Sequence, residues 1–188
     1  MRHVISALVT NEPGVLANVA GMFAARGFNI DSLVVGRTED PELSRMTIVV
    51  SGDANTLDQV RKQLAKLVPV VNVCDFKSTA YIERDLALVA VSAGPEKRGE
   101  VIEIVNLFRG KVVDVSEQSM IVEIAGTETK IEAFIELVKP YGITSLARTG
   151  VIAMARGMQI GKGDEGDGAP VKRKRSLDAP AAVALPPS

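Results

Sequence analysis

The chain opens on a short apolar run rich in β-branched side chains, residues 3–9, which predicts a buried strand. Pro13 stands where a helix would begin. Val15, Leu16, Val19, Met22 and Phe23 then follow at i, i+1, i+4, i+7 and i+8, one apolar helical stripe. Gly27, just after Arg26, ends it. Residues 29–36 read as a second strand, 37–42 as a charged hairpin loop containing Pro41, and 45–51 as a third strand. After Gly52-Asp53 come Leu57, Val60, Leu64 and Leu67, at helical spacing up to a stop at Pro69. Residues 70–76 predict a fourth strand. The order is β-α-β-β-α-β.

The pattern then repeats without obvious sequence repetition. Residues 86–92 predict a strand, and Pro95-Glu96 opens a helix with Val101, Ile104, Val105 and Phe108 inward and Gly110 at its end. Residues 112–115 and 120–124 pair as a hairpin, 127–138 form a helix, and 143–149 form the last strand. The reading is α+β: two ferredoxin-like units of about 75 residues, each a split β-α-β module. Units this small bury only about 60% of their unfolded surface and leave sheet edges open, so a homodimer is expected. After Gly157 the chain turns to Gly, Pro and charge without apolar periodicity, a tail expected to be disordered. Its Lys172-Arg173-Lys174-Arg175 run reads as a solubilising stretch, partly cancelled by Asp164, Glu165 and Asp167.

Composition narrows the function classes. The 188 residues carry 22 basic and 23 acidic side chains, a formal net charge of −1, which argues against nucleic acid as a partner. Single histidine and cysteine residues, His3 and Cys74, make neither a usual zinc site nor a nucleophile–base array. Both read as ordinary strand residues. No apolar run approaches the ~20 residues of a membrane span, and the N-terminus runs straight into a strand, so a cytoplasmic location is expected.

The candidate chemistry lies in the turn Asn11-Glu12-Pro13-Gly14. A helix N-terminus attracts anions through unpaired N–H groups and a partial positive charge. Between Arg2 and Arg26 there is no basic residue, and the turn has one glycine, so a small carboxylate fits better than a phosphate. Asn11 and Asn29 offer amides to a carboxylate and an ammonium, and Gly14 permits close backbone approach. Val15, Leu16 and Ile30 supply an apolar lining. That set suits an aliphatic amino acid. The same residues also suit a plain helix start, with Asn11 as cap, Pro13 at the first position and Asn29 in a turn.

The segments NEPGVLANVAGMFAARGFNIDSL, TEDPELSRMTIVV, FRGKVVDV and ARTGVIAMARG, in that order, resemble the small, regulatory subunit of acetohydroxyacid (acetolactate) synthase. The resemblance spans residues 1–158 or so. It implies an ACT domain over 1–78, a second ferredoxin-like domain over 79–158, and a tail, 159–188, that departs from the family pattern. It implies a non-catalytic homodimer docking on a separate catalytic subunit that carries thiamine diphosphate, Mg and FAD. The small subunit would raise that enzyme's activity and confer feedback inhibition by valine or another branched-chain amino acid. Effector contacts carry over to Asn11, Gly14, Asn29 and Ile30, with Val15 and Leu16 beside them. A free-standing amino-acid-sensing ACT protein is the alternative.

Overall fold

The computed structural model describes residues 1–77 and 79–157. The tail expected over 159–188, with its KRKR run, lies outside the described residues.

The first unit runs β1 (Arg2–Thr10), α1 (Val15–Ala25), β2 (Ser32–Arg37), β3 (Leu43–Ser51), α2 (Ala54–Leu64) and β4 (Val70–Asp75). Its strands lie in the order β2-β3-β1-β4, every pair antiparallel. The alternation in β1 explains the layering. Ile5, Ala7 and Val9 join Val19, Phe23, Leu57, Val60 and Leu64 in a core between sheet and helices, while Val4 faces the other side. On α1, Val15, Val19, Met22 and Phe23 are buried, but Leu16 is 48% exposed. One position on from Val15, it sits about 100° round the helix, on the flank of the stripe.

The second unit runs β5 (Tyr81–Ser92), α3 (Arg98–Leu107), β6 (Lys111–Val115), β7 (Ser119–Gly126), α4 (Glu128–Val138), a short 3-10 turn (Lys139–Tyr141), β8 (Ile143–Arg148) and β9 (Ile152–Ala155). The order β6-β7-β5-β8 repeats the first sheet's topology. Phe134, Ile131 and Val138 of α4 pack with Val89, Val122 and Ile124 beneath them. Both units are therefore ferredoxin-like, as the apolar spacing implied.

The ends of the second unit differ from the sequence reading. β5 starts at Tyr81, five residues before the predicted strand, and a strand not predicted, β9, follows β8. The first half of β5 pairs with β9, from Tyr81↔Ala155 to Arg84↔Ile152, and its second half belongs to the second sheet. The resulting ribbon covers the back of the first sheet. There Val151 and Ala153 bury against Val4, Val49, Cys74 and Phe76, with Phe76 and Tyr81 stacked at 4.8 Å. Cys74 is thus packing in this seam, and the His3 ring lies 3.2 Å from the Gly52 carbonyl. Among the described residues no helix is long and apolar enough to cross a membrane.

Candidate effector site

Helix α1 begins unlike α2 and α4. Asp53 caps α2 by accepting the Thr56 N–H at 2.7 Å, and Thr127 accepts the Lys130 N–H at the start of α4. At α1 the capping position is Gly14, at φ +85°, with no side-chain cap and no acidic residue in the first turn. Pro13 therefore lies just outside the helix rather than at its first position. A Cβ on Gly14 would meet nothing within 4 Å, so the glycine answers to the left-handed backbone, and the space above the turn is open.

Asn11 does not cap the helix. Its Nδ2 donates to the Pro41 carbonyl at 3.0 Å, its Oδ1 accepts from Ser44 Oγ at 3.2 Å, and its backbone N–H donates to the Glu42 carbonyl at 2.7 Å. These bonds tie the NEPG turn to the β2–β3 hairpin. They leave the amide a second N–H and a second lone pair for a ligand. Leu16 stands exposed beside the turn, whereas the Val15 side chain is 5% exposed and belongs to the core. Val15 therefore supports the turn from beneath instead of lining its surface.

Asn29 and Ile30 lie elsewhere. Asn29 is exposed and donates to Asp31 Oδ1 at 2.8 Å; Ile30 is half-buried against the first core. Asp31 is held in turn by Ser51 Oγ at 2.6 Å, at the far end of β3 from Ser44. The eleven residues of α1 span about 16 Å. Asn11 and Gly14 thus sit at one end of the first sheet, Asn29 and Ile30 at the other. A single chain does not bring the two asparagines together, contrary to the simplest picture of an Asn pair on one ligand. No sequence spacing reveals this, because the helix between them reverses the chain.

A second polar cluster was not anticipated. Asp85, its side chain 1% exposed, accepts from Arg148 Nε at 2.9 Å and Nη2 at 2.6 Å, Thr149 Oγ1 at 3.2 Å and the Gly150 N–H at 3.1 Å. Arg148 also reaches Glu132. Partial burial works to lower the Arg148 pKa, but the hydrogen bonds and charges of Asp85 and Glu132 outweigh it and leave the guanidinium raised above its ordinary value. Across a cleft of about 250 Å³, Val151 N–H donates to Ser32 Oγ of β2 at 3.2 Å. Arg2 bridges Glu83 at 3.0 Å and Glu128 at 2.6 Å. In the sequence Asp85 only closes the charged run Glu83-Arg84-Asp85 ahead of the predicted strand, and nothing in that spacing marks it as a buried charge in need of partners.

Residues 5–72 match the profile of the AHAS small subunit-like ACT domain, and residues 84–157 that of the small subunit of acetolactate synthase. A probable acetolactate synthase small subunit of Archaeoglobus fulgidus is 55% identical over 157 residues, covering 84% of this chain and 98% of its own. The chain belongs to the acetolactate synthase small-subunit family. The acetolactate synthase small subunit of Mycolicibacterium smegmatis is 48% identical over 82% of this chain and 91% of its own. The fold agrees with the crystal structure of the small subunit from Thermotoga maritima at a TM-score of 0.77 and 44% identity, over 84% of this chain and 98% of that one. As a member of this family the chain is a regulatory subunit rather than the catalytic one, with an ACT domain over residues 5–72, and its family name implies a catalytic partner.

Proposed function

We propose that the chain forms a cytoplasmic homodimer that binds valine between ACT domains, activates the catalytic subunit of acetolactate synthase, and imposes feedback inhibition on it. The thiamine diphosphate, Mg and FAD of the reaction belong, in this reading, to the catalytic partner. The observation that carries the proposal is the placement of the two half-sites at opposite ends of the first sheet, beside a strand that is an edge among the described residues. β2 is an edge in the order β2-β3-β1-β4. Pairing β2 with its twofold mate runs the two strands antiparallel, so the start of one lies beside the end of the other. Asn29 and Ile30 precede the start of β2; the hairpin after its end is the one to which Asn11 is bonded. The twofold axis therefore sets one chain's NEPG turn against its partner's GFNI corner, twice.

The chemistry suits a zwitterion. The carboxylate meets the uncapped N-terminus of α1 above Gly14, and the ammonium meets the Asn29 and Asp31 end, where a carboxylate is at hand. Leu16 and Ile30 receive the side chain. Burying valine's side chain contributes ~1.5–3 kcal/mol. Only the part that differs between two states of the complex regulates, typically ~1–3 kcal/mol.

Calorimetry of valine on the purified chain tests the reading, with Gly14→Asp and Asn29→Ala beside the wild type. Asp tolerates a left-handed backbone better than most residues, and Gly14 faces open space, so Gly14→Asp folds but sets a carboxylate against the ligand's own. Saturable binding lost in both variants supports the site. Normal valine binding by Gly14→Asp removes it.

A further inference from the structure

The Asn29–Ile30 corner and the seam to the second domain lie at the same end of the first sheet, joined through two consecutive residues. Asp31 holds the Asn29 amide and the Ser51 hydroxyl. Ser32, the next residue, accepts the Val151 N–H. Val151 follows Gly150, whose N–H is fixed by buried Asp85, and Asp85 grips Arg148, which reaches Glu132 on α4. Arg2 makes a second tie, to Glu128 in the first turn of the same helix.

This connection has little slack. A Cβ on Gly150 would stand 2.7 Å from Ser32 Oγ and 2.9 Å from Val34 Cγ2, so the turn and β2 already touch. Asp85 is wrapped by donors from residues 148, 149 and 150. A buried, fully paired carboxylate is costly to uncover in part, so the turn moves as a unit or not at all. A contiguous chain of hydrogen bonds and packed side chains of this kind is one physical route by which coupling between sites travels, and coupling measurements decide whether it does so here.

We infer that Ser32, Asp85 and Arg148 form the coupling element through which effector occupancy at the Asn29–Ile30 corner is passed to helix α4 and the second domain. The inference rests on the valine-site reading above and adds its route. Ligand binding at the corner biases the position of the Asp31–Ser32 peptide. The 148–151 turn follows through the Ser32 bond, and Arg148 carries the change to α4. Ser32, Asp85 and Arg148 are positioning residues; none contacts the effector.

The test uses the full chain, alone and assembled with the catalytic subunit, comparing wild type, Ser32→Ala, Ser32→Thr and Arg148→Lys. Three quantities are read: valine affinity by calorimetry, inhibition of the assembled enzyme by valine, and amide exchange in α4 with and without valine. Ser32→Ala is expected to bind valine within about twofold of wild type yet to lose inhibition by about fivefold or more. Its α4 amides no longer respond to valine. Ser32→Thr, which keeps the hydroxyl, restores both, and Arg148→Lys, which loses the fork, behaves like Ser32→Ala. Melting temperatures identify any variant that has failed to fold, and the remaining one decides. If Ser32→Ala or Arg148→Lys binds valine and is inhibited as the wild type is, with α4 responding, the coupling route is wrong. A wild type that neither binds valine nor is inhibited by it overturns the effector reading itself, which the wild-type arm alone reveals.

Discussion

Two glycines with nearly the same positive φ allow the domain seam to be weighed by itself. Gly14 and Gly150 have φ of +85° and +86°, so replacing either by alanine incurs a similar backbone penalty, ~1–2 kcal/mol. Their surroundings differ. The new methyl at Gly14 meets open space; at Gly150 it stands 2.7 Å from Ser32 Oγ and 2.9 Å from Val34 Cγ2. Distances that short force the Ser32 or Val34 side chain, or the strand and turn that carry them, to shift, and overpacking of this kind adds ~1–3 kcal/mol. Gly150→Ala is therefore expected to destabilise by ~2–5 kcal/mol in total, against ~1–2 for Gly14→Ala. Urea unfolding at one fixed protein concentration measures both, because a dimer's midpoint depends on concentration. The expected pattern is a larger midpoint drop for Gly150→Ala with an unchanged slope. Equal losses in the two variants refute the claim that the domains touch tightly at this turn.

Other outcomes follow from single elements. Val35, 43% exposed on the edge strand β2, sits on the proposed dimer edge, and a charge there is how edges are kept from pairing. Val35→Lys is expected to shift the chain to monomer by sedimentation and to weaken valine binding with it; an unchanged dimer moves the interface elsewhere. Asp53 is an acid whose pKa is lowered, first by the Thr56 backbone N–H and then by its hydroxyl. Its stabilising contribution is thus present above the unfolded pKa and lost as pH falls through the lower folded value. The melting temperature of Asp53→Ala should fall below wild type near neutral pH, and the gap should narrow in acid as pH falls through the lowered folded value; a gap that persists undiminished contradicts a charged cap.

The two modules were legible because each strand and helix carries its own periodicity. Ile5, Ala7 and Val9 alternate, and Leu57, Val60 and Leu64 recur at helical spacing, and each set packs as its period requires. The front half of β5 was not, because Glu83 and Arg84 interrupt the apolar run and read as loop. β9 escaped for a related reason: four residues long, it buries Ala153 while Ile152 and Met154 stay exposed. Its pairing partner is some seventy residues away, and no local pattern reports that. At the effector site the residue types were legible and their arrangement was not. Gly14 and Asn29 are chemically apt, but their separation by the length of α1 is a property of the fold. Asp85 was hidden for the same reason as the front half of β5, as the last of three charged residues before the apolar run, and its partners at 148–150 are brought to it only by the turn after β8.

The cover that β9 provides also has a timing. Val4, Val49, Cys74 and Phe76 are among the first residues made, but Val151 and Ala153, which bury them, are synthesised roughly eighty residues later. At ribosomal rates of about 5–20 residues per second, the ACT sheet has all its own strands yet carries a bare apolar back for about 4–16 s. During that interval the nascent chain exposes an apolar sheet face of the kind that aggregates or recruits a chaperone. A member of this family that ends before residue 151 would keep that exposure permanently.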